Sequence, residues 1–114
     1  MISLTIAMLM MQSWTPAGSE ARGSYSYDPG SVSRSGGNVQ VRIRVVLAST
    51  AQGGVRSFIM AAEFGCAART ITARSVSTFR EDGSLIANQS GQGAAQQIPA
   101  NTIEDNIRRT LCGG

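Results

Sequence analysis

Histidine and lysine are both absent from the 114 residues. Without an imidazole there is no Ser-His-Asp or Cys-His nucleophile pair, no histidine general base and no histidine metal ligand. Cysteine occurs only twice, too few for a structural zinc site that takes four nitrogen or sulfur ligands. Aromatic residues make up 5% of the chain. They are not interleaved with the basic residues, so the stacking platform of a nucleic-acid binder is not expected. Glu81-Asp82 and Glu104-Asp105 are the two acid pairs, but adjacent side chains diverge, and these positions suit a turn and a helix start. The expectation is a protein with no catalytic function, no cofactor, no metal and no nucleic-acid partner.

A long hydrophobic run is also missing. Residues 2–11 are uncharged and mostly apolar, then Gln12 and Ser13 follow. A run of this length cannot cross a bilayer as a helix, which needs about 20 residues. It does match the apolar region of a signal peptide, although only the terminal amine supplies positive charge ahead of it. Small-x-small patterns that a signal peptidase could cut stand at Ala17-Gly18-Ser19 and Ser19-Glu20-Ala21, and a cut after Ser13 is a third choice. The competing assignment for the run is a buried N-terminal strand or helix. Residues 1–13 are assigned as a signal-peptide remnant and residues 14–114 as one exported domain.

The cysteines agree with export. Cys66 and Cys112 are far apart and have no C-x-x-C spacing, which suits a structural disulfide in an oxidising compartment. Closing such a loop stabilises a fold by roughly 4 kcal/mol in the chain-entropy treatment. The competing assignment is a pair of buried free thiols in a cytosolic protein. A staple would matter here: hydrophobic content is 42%, but alanine supplies much of it, and a core thin in large apolar side chains is marginal.

The net charge of +3 is carried by ten arginines, Arg22, Arg34, Arg42, Arg44, Arg56, Arg69, Arg74, Arg80, Arg108 and Arg109. They are scattered in sequence and read first as solvated strand and helix positions, since modest net charge speaks to solubility before function.

Strand signals dominate the middle of the chain. Ser24-Tyr25-Ser26-Tyr27 reads as a short strand, ended by a turn at Asp28-Pro29-Gly30-Ser31. After a second turn at Ser35-Gly36-Gly37-Asn38, residues Val39, Val41, Ile43, Val45 and Leu47 share one parity, with Gln40, Arg42 and Arg44 on the other. That period of two marks a half-buried antiparallel strand. Residues 55–66 form the next strand, with Phe58, Met60, Ala62, Phe64 and Cys66 on one face. Residues 70–79 form another, with Arg74 on the parity opposite Ile71 and Phe79. Glu81-Asp82-Gly83-Ser84 is a hairpin turn into a short strand at 85–88, and residues 89–97 read as a polar loop.

The chain closes on a helix with complete punctuation. Pro99 precedes it, Asn101 or Thr102 caps it, Glu104 and Asp105 occupy the first turn, Arg108 and Arg109 the last, and Gly113 stops it. Ile103, Ile107 and Leu111 make one apolar stripe, with Cys112 beside it. About ten residues of helix are marginal alone in water, so the helix needs the sheet beneath it and Cys66–Cys112 is the natural tether. The fold class is α+β, an antiparallel sheet of five to six strands with one C-terminal helix packed on a face and held by a disulfide.

The succession of Trp14, Tyr25-Ser26-Tyr27-Asp28-Pro29-Gly30-Ser31-Val32, Arg34-Ser35-Gly36 and the strand at 39–45 resembles the surface-adhesin protein E family. Phe64-Gly65-Cys66-Ala67-Ala68-Arg69, Gly83, Ile98-Pro99-Ala100-Asn101-Thr102 and the closing Leu111-Cys112 extend the resemblance over residues 14–112. It implies an antiparallel sheet whose concave face holds the C-terminal helix through a disulfide, on this chain Cys66 and Cys112. It also implies a bacterial outer-membrane adhesin that binds host extracellular-matrix and serum proteins and can dimerise. The family's lipid anchor uses an N-terminal cysteine, and no cysteine precedes Cys66 here. The expected location is therefore the periplasm or cell surface, without lipidation. Retaining Trp14 favours cleavage near Ser13. The expected function is a non-catalytic module that binds a protein partner, of the extracellular matrix or the envelope, through a sheet face bearing Gln40, Arg42, Arg44 and Arg74, or through the sheet edges. The alternative is a structural or accessory periplasmic homodimer without a soluble ligand.

Overall fold

The computed structural model describes residues 13–91 and 93–113. Seven strands come first: β1 (Thr15–Glu20), β2 (Gly23–Ser35), β3 (Asn38–Leu47), β4 (Ser57–Gly65), β5 (Thr70–Phe79), β6 (Leu85–Ser90) and β7 (Gln96–Gln97). One helix, α1 (Ile103–Cys112), follows them. The strands form one antiparallel sheet in the order β1-β2-β3-β4-β5-β6, and β7 pairs with β5 at Thr70 and Ile71, beyond the stretch held by β6. Hairpin connections make such a sheet free to bury one face and wet the other. The apolar run at residues 2–11 lies outside the described residues.

Strand β3 sets the two faces. Val39, Val41, Ile43 and Val45 are 1–3% exposed, and they pack with Tyr25 of β2 and with Ala62 and Phe64 of β4. Helix α1 lies on this face and adds Ile107 and Leu111 to the same cluster, with Ile103 and both cysteines at its margin. The sulfurs of Cys66 and Cys112 are joined, so the end of the helix is tied to the chain leaving β4. The fold class and the tether are as the sequence indicates.

The helix ends follow from local chemistry. Thr102 Oγ1 accepts a hydrogen bond from the Asp105 amide (3.2 Å), and the Asp105 carboxylate accepts from the Asn101 amide (3.3 Å). The first bond satisfies one of the donors that a helix start leaves without intrahelical partners, and the second fixes the residue before the cap. Gly113 takes a left-handed conformation (φ 80°) and donates its amide to Arg109, which is the usual glycine stop.

Four expectations need correction. First, Asp28-Pro29-Gly30-Ser31 does not end a strand. Asp28 Oδ1 accepts from the Gly30 amide and Ser31 Oγ donates to the Asp28 carbonyl, which is turn chemistry. Ser31 Oγ also accepts from the Arg42 amide (2.9 Å), so the turn is absorbed as a bulge between Asp28 and Ser33, and β2 continues to Ser35. Second, β1 was not expected. It is held by β2 on one side and by α1 above it, where Gly18 (φ 142°) admits Ile103: a Cβ there would stand 3.3 Å from Ile103 Cγ1. Third, the polar loop assigned to residues 89–97 contributes its first two residues to β6 and its last two to β7.

Fourth, one arginine is not solvated. Arg108 is 5% exposed and donates from Nε and Nη2 to Asp105 Oδ1, itself 6% exposed. Arg34 donates to the Leu111 carbonyl at the end of α1.

Candidate functional site

The face of the sheet opposite α1 carries the polar parity of β3. Its ladder register places Asp28, Arg42, Ala61 and Ser75 in one row across β2 to β5, and Ser26, Arg44, Ile59 and Ser77 in the next. All four candidate residues, Gln40, Arg42, Arg44 and Arg74, lie on this face, but they divide into two groups.

Gln40 and Arg74 belong with Glu63. Arg74 Nη1 donates to Glu63 Oε1 at 3.2 Å, Gln40 Nε2 approaches the same oxygen at 3.5 Å, and Asn38 Nδ2 donates to Glu63 Oε2 at 2.6 Å. The carboxylate is three times engaged, and the Arg74 charge is locally balanced. A surface pair of this kind contributes little to stability; its effect is to remove Arg74 from the charges available to a partner.

Arg42 and Arg44 belong with Trp14. Each guanidinium carbon stands 5.9 Å from the centre of the indole ring, within reach of the attraction between a cation and the ring face. Trp14, just before β1, thus lies over β3, and two arginines two residues apart on that strand stand beside the sole tryptophan of the chain. Ion pairs among the described residues involve Arg22, Arg56, Arg74, Arg108 and Arg109, and neither Arg42 nor Arg44.

The surface beside this cluster is grooved. A depression of about 240 Å³ is lined by Trp14, Arg42, Arg44, Ile59 and Phe79 among others, and one of about 190 Å³ shares Arg42, Ile59 and Phe79 with it. A third of about 280 Å³ continues past Arg44 to Arg56 and Arg80. Arg56 pairs with Glu81 at 3.1 Å, and Arg80 donates to Ser84 Oγ and to the Leu85 carbonyl.

Phe79 was expected on the parity of Ile71, and that expectation is corrected here. Ala62 faces Ala73 while Ala61 faces Ser75, so Arg74 is an extra residue in β5. One extra residue reverses every later side chain. Val76 and Thr78 therefore share the ladder positions of Met60 and Phe58, and Phe79 turns to the open face opposite Ser57. Trp14, Ile59 and Phe79 were not singled out as site residues. For Ile59 the parity of β4 was a sufficient signal; for Phe79 nothing local revealed the bulge.

A cavity of about 570 Å³ lies elsewhere, between the end of β1, the start of β5 and the start of α1. Glu20, Arg22 and Glu104 stand at it, over Ile71, Ile98 and Ile103. Tyr25 Oη donates to Glu20 at 3.0 Å and receives a long contact from Arg22 at 3.5 Å. Burial is the main cause of the raised pKa of this tyrosine, so its hydroxyl stays protonated beyond the ordinary range. These groups satisfy one another across the mouth of the core. Among the described residues no three His, Cys, Asp or Glu side chains gather to hold a metal ion, and no helix is long and apolar enough to cross a membrane.

A family model described as surface-adhesin protein E matches residues 14–113. The match begins at Trp14, the residue that roofs the arginine pair, and spans the sheet, the helix and both cysteines. No curated protein matches the chain.

Proposed function

The chain belongs to the surface-adhesin protein E family, and on that premise we propose that it is an exported, non-catalytic binding module of the periplasm or cell surface. It engages a protein of the extracellular matrix or the envelope through the open face of the sheet. The observation that carries this reading is the pair Arg42 and Arg44 against Trp14. Two guanidiniums without ion-pair partners among the described residues, beside an aromatic ring, have the composition of an interface anchor. Gln40 and Arg74 flank the anchor and are held by Glu63.

The test is binding to immobilised extracellular-matrix and serum proteins by the wild type, by Arg42→Glu with Arg44→Glu, and by Arg74→Glu. The double variant should lose about tenfold or more in affinity, as expected for charged hot-spot residues, and Arg74→Glu clearly less. Binding that survives the double reversal and ignores added salt removes the face from consideration.

A second reading, a structural homodimer without a soluble ligand, draws on β6. This edge strand begins with Leu85, 48% exposed and the one large hydrophobic residue so placed among those described. An uncovered strand edge is a template for pairing with another chain. Sedimentation across a concentration range separates the two readings. A tight dimer, unaffected by the arginine reversals and capturing no partner protein, favours the second.

A further inference from the structure

The proposed reading leaves open which chemistry the open face recognises, and the following inference rests on that reading. We propose that the groove beside Trp14 binds an acidic glycan carried by that partner protein, a chain of sugars bearing sulfate or carboxylate groups.

Three features of the groove converge on this ligand. Arg42 and Arg44 project from the same side of β3 two residues apart, which spaces them by about 6.8 Å along the strand. Each guanidinium can fork onto an oxyanion, so successive anionic groups of an extended ligand can be held together. Beside them the groove also presents apolar side chains, Ile59 and Phe79, next to the half-buried Trp14. The ring faces of sugars carry C–H groups that pack on such surfaces while their hydroxyls stay wet. Ser75 lines the adjoining depression and supplies a hydroxyl, while Ser77 beside it donates its own to Asn88.

An acidic peptide matches the charges but not the backbone. The groove crosses β3, β4 and β5, which are interior strands paired on both sides over this region. Their amides and carbonyls are spent in the ladder. A peptide laid here cannot add to the sheet, as peptides do at an exposed edge, and its own amides would gain few partners. A glycan has no amide ladder to satisfy.

The single tryptophan makes the test direct, because all indole emission comes from the site. Full-length protein is titrated with sulfated heparin oligosaccharides, with neutral dextran and with poly-L-glutamate, following Trp14 fluorescence and, independently, calorimetric heat. The expected result is a saturable response to the sulfated sugar, absent with dextran and at least about tenfold weaker with poly-L-glutamate. Arg42→Glu with Arg44→Glu should abolish the response. Arg22→Glu with Arg69→Glu makes the same change in net charge away from the groove and should leave affinity within about threefold. Equal binding of poly-L-glutamate, or equal loss in both double variants, overturns the glycan assignment as unspecific attraction. Loss of matrix-protein binding in the Arg42/Arg44 variant with no glycan response in the wild type also overturns it, while leaving the face itself intact. A glycan response that persists in that variant overturns both.

Discussion

Arg34 Nη1 donates a hydrogen bond of 2.6 Å to the backbone carbonyl of Leu111, across 77 residues of sequence. The last carbonyls of a helix have no partner within it, and here the far end of β2 supplies one with a positive charge that also suits the helix dipole. Strand β2 is long enough to reach α1 only because it passes through the bulge at Asp28 to Ser33 instead of ending there. Replacing Arg34 by Ala should cost about 1 kcal/mol. For a domain of this size that lowers the melting temperature by about 4–8 °C. Thermal unfolding followed by circular dichroism measures it. An unchanged midpoint would mean that water serves this carbonyl equally well.

The disulfide acts at the same end of the helix. Reduction, or Cys66→Ser with Cys112→Ser, should cost about 2–5 kcal/mol. Amide exchange should accelerate in α1 before it does in β3, because α1 touches the sheet along one stripe while β3 is paired on both sides. Uniform acceleration across the chain would show that the staple acts on the unfolded chain alone. Since Arg34 and Cys112 secure one helix end, the Arg34→Ala effect should grow in the reduced protein, and a thermodynamic cycle over the two changes reads this coupling.

Much of this architecture was legible because it is locally encoded. The alternation from Val39 to Leu47 has one physical solution, a strand with one dry face, and residues 98–113 carry cap, stripe and stop in order. The cysteine pair followed from count and spacing. The parts that escaped are set by partners distant in sequence. Strand β1 contains Pro16 and Gly18, poor strand formers, and exists because β2 and Ile103 are there to meet it. The bulge at Arg74 is decided by register against β4, so Phe79 could not be placed on its true face. The candidate face was legible in Gln40, Arg42 and Arg44, but the role of Trp14 required the fold that brings it over β3.

Gly18 offers a sharp test of how closely β1 and α1 pack. Its φ of 142° is one that residues with a Cβ rarely adopt, and the added carbon would press on Ile103. Gly18→Ala should destabilise by about 1–3 kcal/mol through strain and overpacking together. Ile103→Ala in the same chain should recover part of the loss by removing the opposing Cγ1. Urea unfolding of the four proteins checks both statements. No recovery would place the whole cost in the backbone.

Acid stability should depend on Asp105. Burial, the largest single influence, pushes its carboxyl pKa up. The Asn101 amide, the Arg108 hydrogen bond and the charges of Arg108 and Arg109 together outweigh it and leave the pKa below the ordinary value. A group whose pKa is lower folded than unfolded binds its proton more readily in the unfolded chain. Its contribution is therefore present above the unfolded value, about 3.9 for an aspartate, and is lost as pH falls through the folded value. Wild-type stability should drop below about pH 4 from this source, and Asp105→Asn, which cannot titrate, should lack that part of the drop. The difference between the two proteins in urea midpoint should thus be largest near pH 7 and shrink steadily toward pH 2. Asp82→Asn is the comparison: its carboxyl is also held low, by Ser84, but in an exposed turn, so its effect on the midpoint should be small at every pH. A pH-independent gap between wild type and Asp105→Asn would show that this carboxylate contributes shape and hydrogen bonds to the helix start, and not its charge.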